Sequence, residues 1–173
     1  LTVAQWWERL GLAGWSAPQE WQATARASIG EQRTAVAWRT ARTDTDVPTY
    51  AQVLGVVHGV ATQEDYVLTS SGGLPGELVM NWPSKVIAPF DCEYGFSCMG
   101  YEISGSWGAA LEHARSRPGS TVYGMSGDGS FMMLPMDIYS AVLTDTDVTI
   151  VVCDNGGFNV IERLQIGHGA ASF

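Results

Sequence analysis

The sequence predicts an α/β fold in which a parallel sheet is flanked by helices, and three observations carry that prediction. An apolar run from Val122 turns sharply at Gly127, Asp128 and Gly129, a helical pattern follows, and a second apolar run, Val148 to Cys153, ends in Asp154, Asn155, Gly156 and Gly157. Strand, helix and strand in succession form a βαβ unit, whose right-handed crossover leaves its two strands parallel. Both polar turns are therefore expected at the carboxyl edge of one sheet, where open α/β sheets bind ligands.

The remaining elements follow in chain order. Leu1 to Val47 holds five of the seven tryptophans, Trp6, Trp7, Trp15, Trp21 and Trp38, without a clear period. It reads as an irregular connecting arm whose indoles anchor it to the domain or to a partner. From Pro48 onward the pattern is ordered: Tyr50, Val53, Leu54 and Val57 fall at i, i+3, i+4 and i+7, the mark of an amphipathic helix. Tyr66 to Thr69 reads as a short strand, followed by the glycine-rich stretch Ser70 to Gly76, and Val86 to Phe90 reads as another strand. The stretch from Ser70 to Gly76 is either a flexible loop or a turn whose backbone, at Gly73 and Leu74, reaches the ligand edge. Ser97 to Arg115 is helical, with one side thinned by Gly100, Ser104, Gly105 and Gly108 for close packing on a sheet or a cofactor. Pro135 suits a first helical turn, after which Met132, Met136, Tyr139 and Leu143 would line a stripe facing the core. Phe158 to Gln165 starts a last helix, and the sheet is expected to be incomplete at the carboxyl end.

Composition narrows the functional classes. The 173 residues suffice for one domain with an attached arm. A net charge of −9 argues against nucleic acid or an anionic membrane surface as a partner. Neither a secretory leader nor a run of eighteen apolar residues is visible, and a first residue other than Met is expected of a piece of a longer protein. Cys92, Cys98 and Cys153 show no CxxC pairing, which suits a reducing cytoplasm, and Cys153 reads as a small core residue. His58, His113 and His168 lack the spacing of a metal pair. Glu93 and Glu102 are candidate acids that read better as structural residues.

The two turns at the sheet edge carry the chemistry. Neighbouring strand tips lie ~4.8 Å apart, so the Asp128 carboxylate and the Asn155 amide oxygen can meet on one ion. Hard oxygen donors suit Mg²⁺, which holds ligands at about 2.1 Å and completes its shell with water and phosphate. The glycines let bare N–H groups approach a phosphate, and a helix starting just after the turn adds its positive end. The pattern predicts a site for a metal-bound phosphorylated ligand.

Gly127-Asp128-Gly129, the 24 residues from Ser130 to Cys153, and then Asp154-Asn155 resemble the cofactor motif of the thiamin-diphosphate enzymes. That motif is Gly-Asp-Gly, a spacer of this size and Asn-Asn; the first Asn is Asp154 here, and Asn155 keeps the ligating position. The resemblance implies a pyrophosphate-binding domain over residues 48–173. It implies Mg²⁺ held by Asp128, Asn155 and the Gly157 carbonyl, and diphosphate received by Gly127, Gly129 and Ser130. Met99 would wedge between the two rings of the cofactor, where the bland alternative is a core methionine.

Within that family, the segments Ser71 to Trp82, Glu93 to Ala109 and Cys153 to Gln165 resemble the trihydroxycyclohexane-dione hydrolases of inositol catabolism. Glu102, where acetolactate-synthase-like members carry glycine, favours that branch. The resemblance implies hydrolytic cleavage of a C–C bond, opening a cyclic dione to a deoxyglucuronic acid. It also implies that no catalytic residue lies in this chain. The activating glutamate would come from a pyrimidine-binding domain preceding Leu1 or on a neighbouring subunit of a homo-oligomer, leaving this chain inactive alone. The rival readings are an acetolactate-synthase-like lyase and a non-catalytic cofactor-binding domain. A P-loop nucleotide binder is a distant third reading, because no Gly-Lys-Ser/Thr follows a glycine loop.

Overall fold

The structure is a computed structural model that describes residues 2–12, 14–42, 44–84 and 89–172. The chain divides into two compact units, Leu1–Ala37 and Trp38–Phe173.

The first unit is helical rather than irregular. Helix α1 (Val3–Arg9) opens on a capping box: Thr2 accepts from the Gln5 N–H while the Gln5 side chain accepts from the Thr2 N–H. Trp7 and Trp15 meet edge to face with centroids 6.1 Å apart. Helix α2 (Gln19–Ala41) begins in this unit, ends in the second and contains no buried residue. Its alanines, glutamines and arginines are strong helix formers and no proline interrupts it, so propensity builds a helix where no apolar face exists.

The second unit is a sheet between helices. Helix α3 (Tyr50–Val60) starts at a second capping box, Thr49 with Gln52. Strand β1 (Tyr66–Thr69) leads into helix α4 (Gly73–Asn81), and then come strand β2 (Phe90–Cys92) and helix α5 (Tyr101–Ser116). Strand β3 (Val122–Gly127) runs straight into helix α6 (Asp128–Met133); helix α7 (Asp137–Leu143), strand β4 (Thr149–Cys153) and helix α8 (Asn159–Gly167) complete the order. The four strands are all parallel, in the order β2-β1-β3-β4.

Successive strand residues face opposite ways, and this sorts the layers. Val67 and Met125 join Leu54 and Val57 of α3 and Leu74 and Leu78 of α4 in one core cluster, with Cys153 at its edge. Leu68 and Gly124 point the other way, toward α5. A Cβ on Gly105 would lie 3.1 Å from Leu68 Cδ1, and one on Gly124 would lie 2.4 Å from Ser106 Oγ. The small residues of α5 therefore let the helix ride directly on the sheet.

Several expectations need correcting. The stretch Ser70 to Gly76 is not a loop throughout, because α4 begins at Gly73. The helix expected from Ser97 starts only at Tyr101, since Ser97 and Gly100 adopt left-handed φ values of 55° and 95° that a helix cannot continue through. Residues 128–143 form two short helices broken around Pro135, which lies in the turn between them rather than in a first helical turn. The stripe expected to face the core faces solvent: Met132, Met136, Tyr139 and Leu143 are 71%, 73%, 63% and 69% exposed. Of the strand expected at Val86 to Phe90, residues 86–88 lie outside the described residues, and β2 begins at Phe90.

Gly124→Ala is expected to destabilise the fold by about 1–3 kcal/mol through overpacking, since its methyl group would also meet Ile150 Cδ1 at 2.8 Å. Chemical unfolding measures this, and Ser106→Ala in the same chain should recover part of the loss.

Candidate cofactor site at the carboxyl edge of the sheet

The site is built by strand register. Gly127 of β3 pairs with Cys153 of β4, so Asp128 and the turn through Asn155 leave the same edge side by side. The Asn155 N–H donates to Asp128 Oδ1 at 3.4 Å. Strand β1 delivers Ser70, Ser71 and Gly72 to that edge, where Ser70 Oγ donates to the Cys98 carbonyl at 2.6 Å. Gly72, with φ 122°, turns the chain into α4 in a conformation that side-chain-bearing residues rarely adopt. Gly73, Leu74, Met99, Gly127, Asp128, Gly129, Ser130, Asn155 and Gly157 all line one cavity of about 390 Å³.

The donor set suits a hard cation. Among the described residues the ion pairs are Arg42 with Asp44 and Arg115 with Glu112, so none of their basic side chains neutralises Asp128. No group of three or more His, Cys, Asp or Glu converges among those residues. A cation here would rest on one carboxylate, one amide oxygen and backbone carbonyls, a set that fits Mg²⁺ better than a thiolate- or imidazole-seeking metal. The cavity wall is close-fitting around Gly129 and Gly73 and open beside Gly127 and Gly157. A Cβ on Gly129 would meet the Phe158 ring at 2.8 Å, and one on Gly73 would meet Val160 Cγ2 at 2.8 Å.

Two residues that the sequence did not mark as functional steady Asn155. Its Nδ2 donates to the Tyr50 hydroxyl, from the first turn of α3. Asn159, at the start of α8, donates through Nδ2 to the Asn155 backbone oxygen at 2.7 Å and to Oδ1 at 3.0 Å. Tyr50 entered the sequence reading as one member of an apolar stripe, and its hydroxyl gave no signal there. Asn159 lies four residues beyond Asn155, a spacing that local turn chemistry could have flagged.

The two candidate acids take structural places. Glu93 accepts from the Phe96 N–H at 2.8 Å and the Cys98 N–H at 2.7 Å, and these bonds hold its carboxyl below the ordinary range. Glu102 is fully buried beneath the cavity, where desolvation pushes its carboxyl above the ordinary range against the bonds it accepts from Ser130 and Gly100. The histidines lie elsewhere. His58 meets Trp82 edge-on, His113 bonds Ser120 Oγ at 2.8 Å, and His168 is exposed. Cys153 is a buried core residue.

A sequence model described as "Thiamine pyrophosphate enzyme, C-terminal TPP binding domain" matches residues 77–173. The chain belongs to the thiamine pyrophosphate enzymes. Curated relatives of this thiamine pyrophosphate enzyme domain include three proteins named 3D-(3,5/4)-trihydroxycyclohexane-1,2-dione hydrolase. That of Bacillus velezensis is 37% identical over 129 residues, that of Bacillus subtilis 36% over 130, and that of Bacillus licheniformis 38% over 129. Each alignment covers 75% of this chain and 20% of the relative, so the chain spans about a fifth of the length of these relatives. The family match begins inside α4, so Met99 and the residues from Gly127 to Gly157 fall within it, while Gly73 and Leu74 precede it.

The raised Glu102 carboxyl has a testable sign. Between the ordinary glutamate value, about 4.3, and its higher folded value, the folded protein holds a proton that the unfolded chain has released. Stability from this group is therefore present at low pH and lost as pH rises through the folded value. Urea unfolding from pH 4 to pH 7 should show wild type losing stability relative to Glu102→Gln as pH rises, and a constant difference would contradict the assignment.

Proposed function

We propose that this chain grips thiamin diphosphate through Mg²⁺ and that it is the cofactor-holding part of a hydrolase that opens trihydroxycyclohexane-1,2-dione to a deoxyglucuronic acid. One observation carries the cofactor reading: the unneutralised carboxylate of Asp128 stands beside Asn155 in a cavity walled by glycine backbone. The names of the relatives support the choice of substrate, and so does the resemblance by which Glu102 stands where acetolactate-synthase-like members carry glycine.

In this reading Asp128, Asn155 and the Gly157 carbonyl hold the cation. Gly129 and Ser130 present N–H groups to the diphosphate, Gly127, Gly73 and Leu74 shape the wall beside it, and Met99 supports the rings. When bound, thiamin diphosphate supplies a nucleophilic carbon and an electron sink for breaking a C–C bond. Tyr50 and Asn159 orient the Asn155 amide, and Phe158 closes over Gly129.

The activating glutamate belongs to a pyrimidine-binding domain of the same or a neighbouring subunit, so turnover needs that domain as well. The exposed Met132 of α6, Met136 of the following turn, and Tyr139 and Leu143 of α7 give a homo-oligomer or such a domain an apolar surface to cover. We place the enzyme in the cytoplasm, in keeping with its three free cysteines. Among the described residues no helix is long and apolar enough to cross a membrane.

Calorimetric titration with thiamin diphosphate is expected to show binding that needs Mg²⁺ and is abolished by chelation. Asp128→Ala should weaken it by more than about a hundredfold, beyond the loss that outer-shell partners of a metal produce; unchanged binding in the variant would reject the metal assignment. The full-length protein should hydrolyse the cyclic dione, and turnover of pyruvate alone would reject the substrate assignment.

A further inference from the structure

Glu102 does work that the cofactor reading leaves unassigned. It is 0% exposed, the most deeply buried ionisable side chain among the described residues. It takes no part in the ion pairs of those residues, Arg42 with Asp44 and Arg115 with Glu112. A carboxylate in such a place is costly unless donors surround it. Here there are two. The Gly100 N–H donates to Oε2 at 2.9 Å, and the Ser130 hydroxyl lies 2.8 Å from each carboxylate oxygen. The Gly100 N–H also donates to Ser130 Oγ at 2.8 Å, so the three groups form a closed, buried ring of hydrogen bonds.

The placement of that ring is the informative part. Gly100 directly follows Met99, on the side of the cavity where the rings of the cofactor would lie. Ser130 sits two residues beyond Asp128, on the side of the metal and diphosphate. The two segments come from different elements, the entry to α5 and the start of α6, and Glu102 accepts from both. The approach is tight, since a Cβ on Gly100 would lie 2.9 Å from Leu134 Cβ, just past the end of α6.

We propose that Glu102 is a positioning residue whose buried carboxylate locks the turn at Met99 and Gly100 to the start of α6, and so sets the separation between the two halves of the cofactor cavity. The proposal rests on the cofactor reading for what the two halves hold. It also commits the Ser130 hydroxyl to Glu102, which leaves the Ser130 backbone N–H to meet an anion.

Two measurements on wild type, Glu102→Gln and Ser130→Ala test it. The first is amide hydrogen exchange without ligand. Glu102→Gln keeps the side-chain volume and should speed exchange in both residues 97–100 and residues 128–133, while Ser130→Ala should speed exchange in residues 97–100. The second is calorimetric titration, with Mg²⁺ present, against thiamin diphosphate and against inorganic pyrophosphate, which reaches only one half of the cavity. Glu102→Gln should weaken thiamin diphosphate by about tenfold, as expected for one buried hydrogen bond, and pyrophosphate by less than about twofold. Exchange in residues 128–133 that ignores Glu102→Gln, or equal weakening of both ligands, would overturn the proposal. Wild-type protein that binds neither ligand would refute the cofactor reading instead, and the exchange comparison would then decide by itself whether Glu102 ties the two turns.

Discussion

Parallel pairing of β3 with β4, with Gly127 opposite Cys153, is the constraint from which the site follows. A one-residue slip would turn every side chain of β4 to the other face, taking Cys153 out of the core and displacing Asn155 from Asp128. The register is held from both faces of the sheet. Met125 and Cys153 are buried against the layer of α3 and α4, while Gly124 accepts the close approach of Ser106 from α5. The packing that stabilises the unit is thus also what places a carboxylate and an amide oxygen side by side at its edge.

The same economy appears in the buried polar groups. Thr69 Oγ1 donates to the Met125 carbonyl at 2.9 Å, tying β1 to β3 where both approach the cavity. At the opposite edge, Asp65 accepts from the Thr62 and Thr121 N–H groups, each at 2.7 Å, and so joins the start of β1 to the start of β3. Polar side chains at both ends of the sheet hold the strands in step, and buried bonds of this kind specify one arrangement because breaking them strands a desolvated donor or acceptor.

Much of this was legible in the sequence, for physical reasons that differ between elements. The βαβ unit and the common edge of its turns follow from local apolar runs, glycine punctuation and the handedness of crossovers. Helix α3 was legible because its apolar period is real: of the stripe read from the sequence, Leu54 and Val57 are buried and Tyr50 and Val53 pack partly buried against the core. Helix α2 was not, because a helix without a buried face leaves no periodic trace and betrays itself only through the propensity of its residues. The stripe on α6 and α7 was read as core. Periodicity reports that a face is apolar and is silent on whether this chain or another body covers it. The bond between Tyr50 and Asn155 joins residues 105 positions apart, and no local pattern records such a meeting.

Strand β1 lies between β2 and β3 and carries Val67 and Leu68, buried on opposite faces of the sheet. It precedes residue 77, where the match to the family model begins, and so does α3 with Tyr50. The stretch matched by the family model and the folding unit therefore have different borders, and the alignments of 129 and 130 residues with the curated relatives reach ahead of residue 77. Excising the protein at residue 77 would split the sheet through its middle and strip one wall from the cavity, whereas an amino-terminal cut ahead of the Thr49 cap would keep both.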